Sequence, residues 1–187
     1  MDIQQDSEVA GEIKKGFIFI AIVSLFVMYP LAAYCGGMSD SKPGFNSNAY
    51  TIERLIFKKV NRERRRYGLK MLRWDPKLAD IARQHSLDMA NNGLLSHRGS
   101  NGEGTITRIR ERGAGGLIGE NIGMMPIGNI VGYGYVSSPK DIAHAMTNMW
   151  MKSPDHRANI LNSGYNSTGI GAAYDGRGAY YITQDFK

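Results

Sequence analysis

From residue 50 onward apolar side chains recur at helical spacing, and near the C-terminus they merge into two short runs of strand type. Ile52, Leu55, Ile56 and Val60 lie at offsets of 3, 4 and 8, an amphipathic stripe that predicts a helix from about Tyr50 to Tyr67, ended by Gly68. Asp75-Pro76 is an N-cap followed by Pro at the first helical position. The second helix so begun carries Leu78, Ile81, Ala82, His85 and Met89 on one face and stops at Gly93. Residues 99–119 are Gly-rich around a short helical piece, Thr105–Arg112, and residues 122–137 read as a Gly- and Met-rich loop without a clear period. Ser138-Pro139-Lys140-Asp141 is a capping box that opens a helix with the stripe Ile142, Ala145, Met146, Met149 and Trp150. Ser153-Pro154 caps a further helix, Pro154–Leu161. Thr168–Tyr174 and Ala179–Asp185 read as strands joined by the turn Asp175-Gly176-Arg177-Gly178, and the stretch from Gly68 to Trp74 supplies another. Helices followed by a C-terminal hairpin predict an α+β fold in layers, not a parallel doubly wound sheet.

The N-terminal part is of a different kind. Residues 1–15 are polar, and Phe17–Tyr34 is an uncharged apolar run preceded by Lys14 and Lys15. Eighteen such residues just cross a hydrocarbon core of about 30 Å, and the flanking lysines place the start of the chain in the cytoplasm. The expected organisation is a cytoplasmic tail (1–15), a transmembrane signal anchor or signal peptide (16–35), a Gly/Ser/Asn-rich linker (36–48) and a domain over 49–187. Pro30 leaves Phe17–Met28 as a signal-peptide-like core, with Leu31-Ala32-Ala33 as a small-residue cleavage site. The four acids ahead of the run suit an uncleaved anchor better, and Tyr34 is too large to precede a lipid-modified Cys35. Each of these export routes places the domain outside the cytoplasm, membrane-anchored, or secreted if residues 1–33 are removed.

Composition narrows the partners. A single cysteine, Cys35, excludes an intramolecular disulfide and a Cys-based zinc cluster. Residues 36–187 hold 21 of the 23 Lys and Arg but only 13 of the 17 Asp and Glu, a net charge of +8 against +6 for the whole chain. Much of it is local, in Lys58, Lys59, Arg62, Arg64, Arg65 and Arg66. Such a patch either attracts anionic lipid or envelope polymer or is a solvated helix face. No nucleic-acid-binding motif is present.

Candidate chemistry rests on four histidines and a few carboxylates. The chain has no G-x-S-x-G elbow, no H-E-x-x-H and no G-x-G-x-x-G. His144 lies about 200° around its helix from the apolar stripe and is expected in solvent. His85 sits within a stripe and is expected as a half-buried, hydrogen-bonded core histidine. His97, Glu120 and His156 have no stripe to explain them. Two neutral imidazoles and a carboxylate suit one zinc or other divalent cation with an open fourth position. Their separations, 23 and 36 residues, do not by themselves show that the three meet.

Six ordered blocks carry a resemblance. They are Asn61-x-x-Arg64-x-x-x-Gly68-Leu69-x-x-Leu72, His85-Ser86-x-Asp88-Met89-Ala90, Leu95-Ser96-His97, Gly119-Glu120-Asn121-Ile122, Trp150-x-x-Ser153-Pro154-x-His156-Arg157-x-Asn159-Ile160-Leu161 and Tyr180-Tyr181-x-Thr183-Gln184-Asp185-Phe186. Over residues 50–187 the chain resembles the microbial, SCP-like branch of the CAP superfamily of cysteine-rich secretory, antigen-five and pathogenesis-related proteins. The resemblance implies a three-layer α-β-α sandwich with a cleft that, in many members, is lined by two His and two Glu able to hold a divalent metal. By position His97, Glu120 and His156 match three of these. The second Glu has no counterpart, since no Glu follows Glu120, and Asp155 is the nearest substitute. The family implies no single activity.

Three functions follow as expectations. The first is an exported, membrane-tethered binding module that takes a lipid, an envelope component or a protein. The second is a divalent-metal-dependent hydrolase using His97, Glu120 and His156. The third is an envelope-interaction role for the basic end of the first helix. The missing carboxylate and the absence of a visible nucleophile place binding ahead of catalysis.

Overall fold

The computed structural model describes Gly44 and residues 46–187, all within one compact unit. The expected cytoplasmic tail, the segment 16–35 and most of the linker lie outside the described residues. Among the described residues no helix is long and apolar enough to cross a membrane.

Five helices are described: α1 (Ser47–Arg66), α2 (Pro76–Asn92), α3 (Thr105–Glu111), α4 (Pro139–Lys152) and α5 (Pro154–Leu161). Their starts follow local chemistry. Asn46 caps α1 by accepting from the Ala49 amide at 2.8 Å, so the helix opens inside the expected linker, three residues before Tyr50. Asp75 caps α2 through the Lys77 and Leu78 amides, and Gly93 closes it in the left-handed region at φ 64°. At α4 both bonds of the Ser138–Asp141 capping box form.

The main sheet has the strand order β1-β5-β6-β2, with β1 (Arg73–Trp74) parallel to β5 (Ser167–Tyr174). β6 (Ala179–Phe186) runs antiparallel to both β5 and β2 (Gly119–Pro126). A small ladder, β3 (Gly128–Ile130) with β4 (Gly134–Val136), lies apart from it. The stretch expected as a loop over 122–137 therefore contains most of an edge strand of the main sheet and a hairpin. β2 is buried on both faces, so it lacks the apolar–polar alternation that marks a half-exposed strand. Gly123 also breaks the pattern, because a Cβ there would lie 2.5 Å from Met146 Sδ.

Three layers result. On one face α1, α4 and α5 bury Ile52, Ile56, Val60, Ile142, Met146, Trp150 and Ile160 against Ile170, Ile182 and Phe186 of the sheet. On the other, α2 packs Met89 and Ala90 against Ile122, Ala173 and Tyr181, while Leu78 and Ile81 meet Ile109 of α3. The expected α-β-α sandwich is thus the observed one. α2 lies directly on β5, because a Cβ at Gly169 or Gly171 would fall 2.0 or 2.1 Å from the backbone of Ala79 or Arg83. Met149, assigned to the stripe of α4, is 41% exposed, since the buried face of that helix turns through Met146 and Trp150 instead.

One member of the basic patch is not on the surface. Arg64 is 1% exposed and donates to the carbonyls of Lys70, Ile160 and Asn162 at 2.7–2.9 Å, with Tyr165 O at 3.4 Å. It stands four residues after Val60 on the row Ile56–Val60–Arg64, and so faces inward. It ties the end of α1 to the segment after α5. Lys58, Arg62, Arg65 and Arg66 are exposed; Lys59 is half-buried, 3.4 Å from His144 Nδ1.

Candidate functional site

The site forms where the segment after α2, the helix α3, the start of β2 and the first turn of α5 meet. His85 on α2 is 2% exposed, and its Nε2 lies 2.9 Å from the Ser96 carbonyl. Burial pushes its imidazole below the usual 6.5, with Glu120 pulling the other way, so the neutral ring donates through Nε2–H. That bond pins the segment carrying His97.

His97 turns its Nδ1 to Glu120 Oε1 at 2.6 Å, with its side chain 55% exposed. Glu120 is buried at the start of β2. Its Oε1 also accepts from Thr105 Oγ at 2.6 Å, and its Oε2 accepts from Arg108 Nη2. Burial pushes the Glu120 carboxyl up, but the His97 bond, the Arg108 charge and the Thr105 bond outweigh it and leave its pKa below 4.5. Glu120 is therefore an anion. A neutral His97 that gives Nδ1–H to it keeps a free lone pair on Nε2.

His156 arrives on α5, which is fastened to β2 by two asparagines. Asn121 Nδ2 donates to His156 O at 3.1 Å, and Asn159 Nδ2 donates to Glu120 O at 3.1 Å and Asn121 Oδ1 at 2.9 Å. His156 is half-buried; burial, and then the nearby His97, push its imidazole below 6.5. At Gly119, just before Glu120, a Cβ would fall 2.2 Å from Tyr165 Oη, so only glycine lets the strand start there.

The structure thus joins His97 to Glu120, sets His156 close to His97, and puts His85 behind them. Asp155 is exposed and shares no hydrogen bond with the group. The carboxylate is committed to Arg108, Thr105 and His97, and among the described residues no group of three or more His, Cys, Asp or Glu is arranged to hold a metal ion. The donors free toward solvent are imidazoles, too few for the three-ligand set expected of a resident zinc. Sequence reasoning passed over Arg108 and Thr105. Their spacing of three on a short helix puts them on one face, a signal available in the chain.

Comparison with known proteins agrees with this fold. Residues 57–186 match CAP, the cysteine-rich secretory protein family. The chain is 32% identical over 136 residues to the uncharacterized membrane protein YlbC of Bacillus subtilis (strain 168), and 28% identical over 131 residues to the uncharacterized protein YkwD of the same organism. Those matches cover 73% and 70% of this chain but only 34% and 46% of the relatives, so the chain spans less than half the length of either. Among solved structures, an extracellular protein containing an SCP domain from Bacillus anthracis str. Ames aligns with TM-score 0.60 at 28% identity, over 74% of this chain and 40% of that one. An outer surface protein of Borrelia burgdorferi aligns with TM-score 0.56 at 16% identity, over 72% and 91%, a likeness of fold. With a match over residues 57–186 and the α-β-α layers in place, the chain belongs to the CAP, or cysteine-rich secretory protein, family.

Proposed function

We propose that this chain is an extracytoplasmic CAP domain, tethered to the membrane through residues 16–35, that works as a binding module through His97 and His156. The observation that carries this reading is the state of Glu120. Its two oxygens accept from His97, Thr105 and Arg108, so it acts as a fixed brace for an imidazole. A general base or a metal ligand needs a lone pair free to face the reacting group. The two imidazoles offer hydrogen bonds to a polar ligand, for which an envelope polymer or a lipid headgroup is the proposed source. Export is supported by the apolar run after Lys14 and Lys15 and by the extracellular origin of the Bacillus anthracis relative; the tether is supported by the membrane protein YlbC.

The test uses the full-length chain in phosphatidylcholine vesicles, beside a His97→Ala/His156→Ala variant. Both are mixed with isolated cell-wall polymer or with vesicles of anionic lipid. Retention by the native protein that falls at least tenfold in the double variant supports the reading, and equal retention contradicts it. Zinc-dependent ester or peptide hydrolysis, lost in Glu120→Gln, would instead support the hydrolase alternative.

A further inference from the structure

Asp185 has no place in the site as described, yet it stands directly behind it. It belongs to β6, and its partner across the ladder is Glu120 of β2. Directly opposed residues point to the same face, with Cβ atoms about 4.5–5.5 Å apart. Asp185 is wholly buried; no donor reaches either carboxyl oxygen, while the Glu120 carboxyl lies within hydrogen-bonding reach. A naked carboxylate in that position is costly, whereas a neutral acid is not.

The charges around it are few. Glu120 faces it from β2 and Arg108 from α3, while His85 on α2 is kept neutral by burial and His97 points its Nδ1 to Glu120. Arg108 spends its Nη2 on Glu120 Oε2, and its buried Nε makes no bond to Asp185. One permanent cation therefore faces two buried acids, and charge balance leaves one acid neutral. Glu120 receives three hydrogen bonds in its charged form, which makes Asp185 the acid that keeps its proton.

We propose that Asp185 is a neutral acid that gives its O–H to Glu120 and thereby positions Glu120, and through it the ring of His97. Asp185 is a positioning residue: it touches no ligand and acts through Glu120. The proton moves nowhere in the resting state; it lies between the two carboxyls, with Glu120 as acceptor. Burial and the neighbouring Glu120 charge both push the Asp185 carboxyl well above 3.8, with Arg108 offsetting part of the rise, as this arrangement requires. The inference rests on the reading of Glu120 as a brace, but its test needs no ligand. Failure here would leave the retention experiment standing, and failed retention would leave this titration standing.

The experiment is a carboxyl carbon-13 NMR titration of the full-length chain in detergent micelles, with labelled Asp and Glu. One Asp signal, absent from Asp185→Asn, should remain protonated well above 3.8. Glu120 should titrate below 4.5 in the native chain and stay low in Asp185→Asn, whose amide still donates a hydrogen bond. In Asp185→Leu, which cannot donate, the Glu120 midpoint should rise. A signal of Asp185 that titrates near 3.8 overturns the proposal, as does a Glu120 midpoint identical in the native chain and Asp185→Leu. Should the leucine variant not fold, the Asp185 signal and the asparagine variant decide the matter.

Discussion

Arg108 and Glu120 form an ion pair closed off from solvent, with side chains 4% and 2% exposed. The pair lets β2 begin with a buried charge and leaves Oε1 to hold His97. Removing one member of such a pair strands the other.

Arg108→Met should therefore cost about 3–5 kcal/mol in urea unfolding. Replacement of an exposed neighbour, Arg110→Met, should change stability by less than about 0.5 kcal/mol. A loss below about 1 kcal/mol for Arg108→Met would mean that Glu120 is not charged in the fold.

Arg64 and Arg65 are adjacent in the chain and opposite in role. Arg64→Met leaves buried carbonyls of the segment 160–165 unpaired and should cost about 3 kcal/mol. Arg65→Met should be close to neutral by the same measurement. Envelope attraction by the basic end of α1 is consequently tested with Lys58, Arg62, Arg65 and Arg66, not with Arg64.

The helices were legible because their signals are local. The Ser138–Asp141 box, Asp75-Pro76 and the stop at Gly93 all act within one turn, and each is found in place. β2 was not legible, because its neighbours on both faces erase the period that marks a strand. Arg64 shows the reverse case: its spacing from Val60 pointed inward, but membership of a run of cations suggested a surface. For the site, His97, Glu120 and His156 stood out as residues unexplained by packing. Thr105 and Arg108 share one face of a short helix, a local signal, but their meeting with Glu120, and Asp185 behind it, exists only once β6, β2 and α3 are packed together.

Gly171→Ala tests the direct seating of α2 on β5. The added carbon would fall 2.1 Å from the Arg83 amide nitrogen, which is backbone and cannot turn aside. The expected loss is about 3 kcal/mol or more in chemical denaturation. Gly115→Ala, at a site with no atom within 4 Å of the added carbon, serves as the control.

Two opposed pH dependences should be separable. Burial depresses His85 and His156, so unfolding takes up protons between their folded values and 6.5, and stability falls as pH drops through that window. Asp185 has the opposite sign. Its folded value is raised, so its contribution is complete below 3.8 and is lost as pH rises toward the folded value. Asp185→Asn should then gain on the native chain by up to about 1.4 kcal/mol per pH unit across that range. Parallel stability curves for the two proteins would show that Asp185 is ionised in the fold.

The claim on which the site depends is that Glu120 fixes His97 with its Nδ1–H inward and Nε2 free beside His156. Long-range proton–nitrogen NMR of the imidazoles at pH 7.5 reads this directly. The account predicts the Nδ1–H tautomer for His97 in the native chain and its loss in Glu120→Ala. An Nε2–H tautomer for His97 in the native chain, unchanged by that substitution, would contradict it.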